Sequence, residues 1–333
     1  MTGAATYRGV LPSRSGAHPP SVDLSRKAEE LAIAALGSSL HSARFSLHGA
    51  WAVGAWTGGL PRPTHGIDLL DRGQGSVENV VAALHAGLSQ SPGGLLLNWC
   101  GVRVRTKARR RSPLHRISIP ARLGCRQLDL RVDVMVAPTD HSGIEFRPLH
   151  SVAAGARPIW APCCGVDDLV AEKAALLVTY GASHTRLQDV FDLRLLSEQI
   201  RFDRSSLTKA MASNFEGRDA ARMLDRDDGY WEGAFDPHRV SHGEETRWAD
   251  LLAMAGQPAP PGNLAVTLTD LGRFLVPVLQ AMRQGSEVRA GWEPGIGWSA
   301  EMSRWPRQNR RCDAVARSDF WEDAIMMTGS SRK

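Results

Sequence analysis

The chain has 333 residues, long enough for two domains, and its net charge of +5 with a pI near 9.2 fits an anionic partner without naming one. Residues 1–20 hold no apolar run of the signal-peptide kind, and no long apolar stretch suggests a membrane span. Cys100, Cys125, Cys163, Cys164 and Cys312 include no Cys-x-x-Cys pair, which speaks against a disulfide framework and for the reduced thiols of a cytoplasmic protein.

Residues 1–22 are rich in Ser, Gly, Pro and Arg and read as a disordered leader. A helix is expected over 25–36, with Leu31, Ala32, Ala35 and Leu36 on one face. The stretch 45–71 organises the rest of the chain. It reads as a strand at 45–48, a small-residue turn at Gly49 and Ala50, a short helix over 51–56, a Gly/Pro loop, and a strand over 65–70 that carries Asp68. Such a turn brings backbone N–H groups and a helix N-terminus up to a phosphate, and the strand can hold a carboxylate beside it for a metal ion. Phosphate cradle and carboxylate together are the minimal equipment for nucleotidyl transfer.

Ser76 stands where it would cap a helix whose Val77, Val80, Val81, Leu84 and Leu88 recur at helical spacing. Strands are expected near 95–97, 102–105, 115–120 and 128–136. In the last, Leu128, Leu130, Val132, Val134 and Val136 face one way and Asp129, Arg131 and Asp133 the other, which suits a strand buried on one side with carboxylates open to a cleft. Residues 158–165 read as a Pro/Cys-rich connector. Helices are expected next over 167–180, ended by Gly181, then over 185–200, 206–215 and 264–284, the last with a break or kink at Pro277. Residues 236–247 and the tail holding Trp292, Trp298 and Trp305 show no clear period, and from about 307 the chain reads as a mobile basic tail.

Asp68 and Asp133 are candidate Mg²⁺ ligands, because nucleotidyl transfer needs an ion on one or two carboxylates and the triphosphate. The alternative is a pair of strand residues solvated or paired with neighbouring arginines. Lys173, Asp189 and Asp192 form a second group. Asp189 and Asp192 share a helix face, Lys173 could neutralise phosphates, and an Asp could accept a proton from an attacking hydroxyl. The same residues would equally make a surface ion-pair network between two helices, with Arg186 and Arg194. From Arg103 to Arg126 the chain holds nine Arg and Lys residues and no acid, either a nucleic-acid contact or a solubilising hairpin. His48, His65 and His184 match no zinc spacing and read as local structure; Cys163 and Cys164 read as packing in the connector.

These segments together resemble the AbiEii/AbiGii-type nucleotidyltransferase toxins of type IV toxin–antitoxin systems. The stretch His48-Gly49-Ala50-Trp51 resembles their GGxA turn, and Arg62-x-Thr64-x-Gly66-Ile67-Asp68-Leu69 their R-x-T/S-x-D-I-D-L strand. Arg131-Val132-Asp133-Val134 is similar to a later acidic strand. Asp168-Leu169-Val170-Ala171-Glu172-Lys173, with Arg186-Leu187-Gln188-Asp189 through Asp192-Leu193 after it, resembles their E-L-x-A-E-K and R-x-x-D-x-x-D-L helices. The similarity spans roughly residues 28–300. It implies an α+β fold, with a nucleotidyltransferase-fold mixed-sheet domain over 23–150, a helical C-terminal domain over 151–306, and the active site between them. It further implies Mg²⁺ as cofactor, a nucleoside triphosphate as substrate, transfer to an RNA acceptor such as the tRNA 3′ end, a co-encoded antitoxin, and often a role in phage defence. Carried over by motif, Asp68 and Asp133 would bind metal, and Gly49, Ala50, Trp51 and Lys173 the nucleotide. Lys173 with Asp189 or Asp192 would do the catalysis.

Two positions depart from that pattern. Gly66 replaces the first Asp of the D-x-D pair, and Trp51 replaces a hydroxyl residue after the turn. A site short of one carboxylate holds a second metal ion poorly. Two other readings therefore stand beside the RNA-modifying enzyme: a catalytically impaired relative kept as a binding module, and a nucleotidyltransferase acting on a small molecule such as an antibiotic.

Overall fold

A computed structural model describes residues 20–300, apart from 74–75, 92, 108–112, 137–142, 152–156, 182–185, 217, 227, 256–262 and 287–288. Residues 1–19 of the expected leader, the basic tail, Arg109 to Arg111, His184, Trp305 and Cys312 lie outside the described residues.

The fold is α+β. Eight described strands form one mixed sheet in the order β3-β5-β6-β2-β1-β8-β7, with β4 also paired to β5. They are β1 (Phe45–His48), β2 (Ile67–Asp71), β3 (Leu95–Leu97), β4 (Arg103–Lys107), β5 (Leu114–Leu123), β6 (Arg126–Val136), β7 (Glu145–Leu149) and β8 (Ile159–Cys163). The β5–β6 hairpin is the longest pairing, from Leu114↔Met135 to Leu123↔Arg126. Its two-residue turn uses Gly124 at φ +59°, the left-handed backbone that a tight hairpin requires. Along β6 the expected alternation holds: Leu130, Val132 and Val134 are buried in the core, while Asp129 and Arg131 turn to the other side. The two parallel pairings, β2 with β6 and β1 with β8, sit at the centre. The stretch expected to be a connector, 158–165, is the strand β8: Cys163 pairs with Leu47 of β1, and β8 also pairs with β7. Ala161, Pro162 and Cys163 are buried while Trp160 is exposed, a pattern that a period-based reading of so short a run misses.

Helices α1 (Pro20–Ser38), α2 (Gly49–Thr57) and α3 (Val77–Leu88) belong to the sheet half. Ser76 occupies the N-cap of α3 without a side-chain cap bond. After β8 the chain is mainly helical, with α4 (Val166–Tyr180), α5 (Leu187–Gln199), α6 (Arg204–Phe215), α7 (Asp219–Leu224), α8 (His242–Met254) and α9 (Leu264–Gln284). The unassigned stretch near 236–247 enters α8 through a capping box, Ser241 with Glu244. Helix α9 is long and apolar enough, by length and composition, to cross a membrane, which the sequence reading does not expect. Its Leu264, Leu268, Leu271, Phe274, Leu275 and Val278 are buried, and it packs on α5 and α6. Pro277 sits inside it, and its carbonyl accepts a hydrogen bond from Arg204 (2.6 Å).

The tail tryptophans have a structural use. Trp292 and Trp298 lie on the hairpin of β10 (Gly291–Glu293) and β11 (Gly297–Ser299), paired to β9 (Phe202–Asp203). Both rings pack on Phe274, at centroid distances of 4.8 and 5.9 Å, and their indole N–H groups donate to Ser197 and Phe274 carbonyls.

Candidate active site

Registers across the central strands place Asp68 beside Asp133. The two are direct partners on the parallel pair β2 and β6, so their side chains leave the same face of the sheet. His48 lies opposite Asp68 on β1, and Arg116 opposite Asp133 on β5. The last residue of β1 leads straight into α2 through Gly49 at φ +59°. A Cβ there would stand 2.2 Å from the Asp68 Oδ2, so only glycine lets the start of α2 approach this carboxylate. Ala50, Asp68 and Asp133 line a cleft of about 170 Å³ together with the loop 62–67, Arg131 and Gln188. The cleft thus runs between the sheet and the first turn of α5.

Asp68 has no hydrogen-bonding partner among the described residues. Burial, then Asp133 and Glu172, push its pKa up to about 6, against the charges of Lys173 and Arg131. Asp133 is in the opposite condition. Burial works against its charge, but Arg116 and Arg131 outweigh that and hold it below the usual carboxylate range. Its Oδ1 accepts from the Nε of Arg116 (2.9 Å) and of Arg131 (3.3 Å), and its Oδ2 from an Nη of each (2.8 and 2.9 Å).

Trp51, expected near the nucleotide, is fully buried, and its indole donates to Glu29 of α1 (2.9 Å). Burial, only partly offset by this bond, lifts Glu29 to about 7. Behind Asp68, His48 joins the sheet to α4: its Nδ1 lies 3.1 Å from the Cys164 Sγ, and its Nε2 pairs with Glu172. Burial pushes the Cys164 thiol well up, which makes it a packing group rather than a nucleophile.

Lys173, Asp189 and Asp192 come together as one cluster between α4 and α5. The Lys173 ammonium is 3.1 Å from Asp189 and 2.7 Å from Asp192. Arg62 closes the other side of Asp192 with two bonds, at 2.9 and 2.8 Å, and Arg186 binds Asp189 at 2.7 Å. The ion-pair network between the two helices is present and includes Arg186, but it is not on the surface: Lys173, Asp189, Asp192 and Arg62 are all buried, and Arg194 pairs with Glu198 instead. Burial favours the neutral forms, but the mutual charges win, raising Lys173 and Arg62 and lowering Asp192. In the sequence Arg62 is visible only as part of a motif; its charge opposite Asp192, 130 residues away, cannot be read from spacing.

Of the basic segment, Arg103, Arg105 and Lys107 lie on β4 and are exposed. Arg105 is the register partner of Arg116, so one row runs Arg105, Arg116, Asp133, Asp68 across four strands.

Gly66 lies at φ +146°, and a Cβ there would meet the Arg131 carbonyl oxygen at 2.6 Å. No carboxylate fits at this position without moving the strand. Among the described residues no three His, Cys, Asp or Glu side chains are grouped to hold a metal ion. The donors fit one divalent ion completed by phosphate oxygens, with Asp68 as the open ligand, and do not fit two.

A glycine turn opening a helix against a strand carboxylate, with a second acid on the adjacent parallel strand, is the arrangement that the sequence predicts for nucleotidyl transfer. The chain belongs to the AbiEii family: the family model described as the nucleotidyl transferase AbiEii toxin of a type IV toxin–antitoxin system matches residues 32–274. No curated protein matches the chain. Among solved structures it is similar to JHP933 from Helicobacter pylori, at 17% identity and a TM-score of 0.43 over 80% of this chain and 94% of that one. It is also similar to MenT4, a nucleotidyltransferase toxin from Mycobacterium tuberculosis, at 11% identity and a TM-score of 0.41 over 79% and 93%.

Proposed function

We propose that this nucleotidyltransferase moves a nucleoside monophosphate from a triphosphate to an RNA acceptor, the 3′ end of tRNA, as the toxin of a cytoplasmic toxin–antitoxin pair. The observation that carries the reading is the adjacency of Asp68 and Asp133 at a cleft that the start of α2 also faces. Mg²⁺, held at Asp68 with Asp133 as second carboxylate, would neutralise the triphosphate and orient its α-phosphate. The backbone at Gly49 and Ala50 would receive phosphate oxygens at the helix N-terminus. Lys173 would act on the nucleotide through its positive field, which already opposes the rise at Asp68. Of the two acids in the cluster, Asp189, which is held by Lys173 and Arg186, would take the proton from the attacking hydroxyl, while the fully buried Asp192 would fix Lys173 and Arg62. Support for an RNA acceptor comes from the row of Arg105 and Arg116 leading to Asp133 on the same sheet face, flanked by exposed Arg103 and Lys107.

The test is transfer of an α-phosphate label from each nucleoside triphosphate to total tRNA with Mg²⁺, beside Asp68→Asn. Labelled tRNA from the natural chain and none from the variant supports the reading. Equal labelling by both refutes it. A binding module that no longer transfers is the second reading, favoured by Gly66. Restoring an aspartate there is not a clean test, because of the close approach of Arg131. Triphosphate binding without transfer to tRNA or to any antibiotic acceptor would identify that module.

A further inference from the structure

Asp133 accepts four hydrogen bonds, two on each oxygen, which fills the lone pairs of a carboxylate. It cannot ligate a cation until one guanidinium leaves. The two arginines are not equivalent. Arg131 lines the cleft and Arg116 does not, and the longest of the four bonds, at 3.3 Å, belongs to Arg131. Arg131 also owes its place to Gly66: a Cβ at 66 would come within 3.1 Å of the Cβ and Cγ of Arg131. The stem of Arg131 therefore fills the space that a side chain at 66 would need, and its cation sits on the neighbouring acid.

We propose that Arg131 is an exchangeable cation of this site, bound to Asp133 in the free protein and passed to the triphosphate when nucleotide and metal ion arrive. The move balances. Asp133 loses two charge-assisted hydrogen bonds and gains a metal contact, and the guanidinium exchanges a carboxylate for phosphate oxygens, which it binds with the same two-pronged geometry. Arg116 stays on Asp133 and keeps the acid oriented. The side chain has room to move, being 37% exposed beside a carboxylate that is only 9% exposed. This inference rests on the nucleotide-binding reading above and adds a competition that the family pattern of acids alone does not contain.

The competition gives opposite signs for two ligands. In the full chain, Arg131→Ala should bind Mn²⁺ alone about tenfold more tightly, by electron paramagnetic resonance, because Asp133 is released. The same variant should bind a non-hydrolysable nucleoside triphosphate with Mg²⁺ about tenfold more weakly, by equilibrium dialysis. Arg131→Lys should recover part of the triphosphate affinity, and thermal melts of both variants confirm that each is folded. Opposite shifts with partial rescue support the exchange. Shifts in the same direction, or no shift in either ligand, overturn it while leaving the nucleotidyltransferase reading intact. A natural chain that binds no triphosphate overturns both.

Discussion

Replacing Lys173 with Met keeps most of the side-chain volume and removes only the charge. The ammonium holds two buried carboxylates, at 3.1 and 2.7 Å. Removing one partner of a buried pair costs about 3–5 kcal/mol. The lower end applies here, because Asp192 keeps both bonds from Arg62 and Asp189 keeps Arg186. A loss of about 3 kcal/mol should lower Tm by about 4 °C in a chain of this size, because the unfolding entropy grows with length. The loss depends on pH with a definite sign. Asp192 is held below its ordinary range, so the stability it contributes is present above its unfolded pKa and lost as pH falls through the folded one. The gap between natural chain and variant should therefore narrow in acid. The assay is thermal unfolding monitored by circular dichroism at neutral pH and at stepwise lower pH. A Tm within about 2 °C of the natural chain at neutral pH would refute the reasoning, since the ammonium would then not be balancing those carboxylates.

Glu29 makes the complementary case. Its pKa rises from 4.5 to about 7, so the folded state favours the protonated form and loses stability as pH climbs between those values. Glu29→Gln keeps an acceptor for Trp51 and should stabilise the fold by up to about 3 kcal/mol at pH 8, with no gain near pH 4; urea unfolding at both values decides it. Gly49→Ala would place a methyl 2.2 Å from the Asp68 Oδ2 on left-handed backbone. It should abolish triphosphate binding at a stability cost of about 1–3 kcal/mol, and binding kept within twofold would contradict the tight turn. Asp68 has a pKa of about 6 in the free protein, so metal-dependent transfer should fall as pH drops below that value, and added Mg²⁺ should move the midpoint lower. A transfer rate unchanged between pH 5 and pH 7 would contradict this role for the carboxylate.

Much of the fold is legible in the sequence because its elements have clean periods. The alternation in 128–136 places Asp133 opposite the core, and the strand–turn–helix at 45–57 is readable from its small residues. Strand β8 escapes such a reading because Ile159–Cys163 is short, holds Pro162, and is defined by its neighbours rather than by its own pattern. The Trp292 and Trp298 hairpin escapes it for a related reason: its strands have three residues each and are held by Phe274, far away in sequence. In the site, residue types are legible and partners are not. Asp68, Asp133 and Lys173 stand out as charges within apolar elements. That Arg62 closes on Asp192, that Arg131 occupies Asp133, and that Trp51 turns away to Glu29 all depend on contacts across the fold. Gly66 looks like a missing ligand in the sequence, and its backbone angle and the nearness of Arg131 make it a position where a ligand has no room.

The most direct test of the account is a crystal structure of the chain soaked with Mn²⁺ and a non-hydrolysable nucleoside triphosphate, read by anomalous scattering. A manganese peak is expected about 2.1 Å from the Asp68 carboxylate, with phosphate oxygens beside Gly49 and Ala50. A triphosphate bound elsewhere on the molecule, or a manganese peak remote from Asp68, would contradict it.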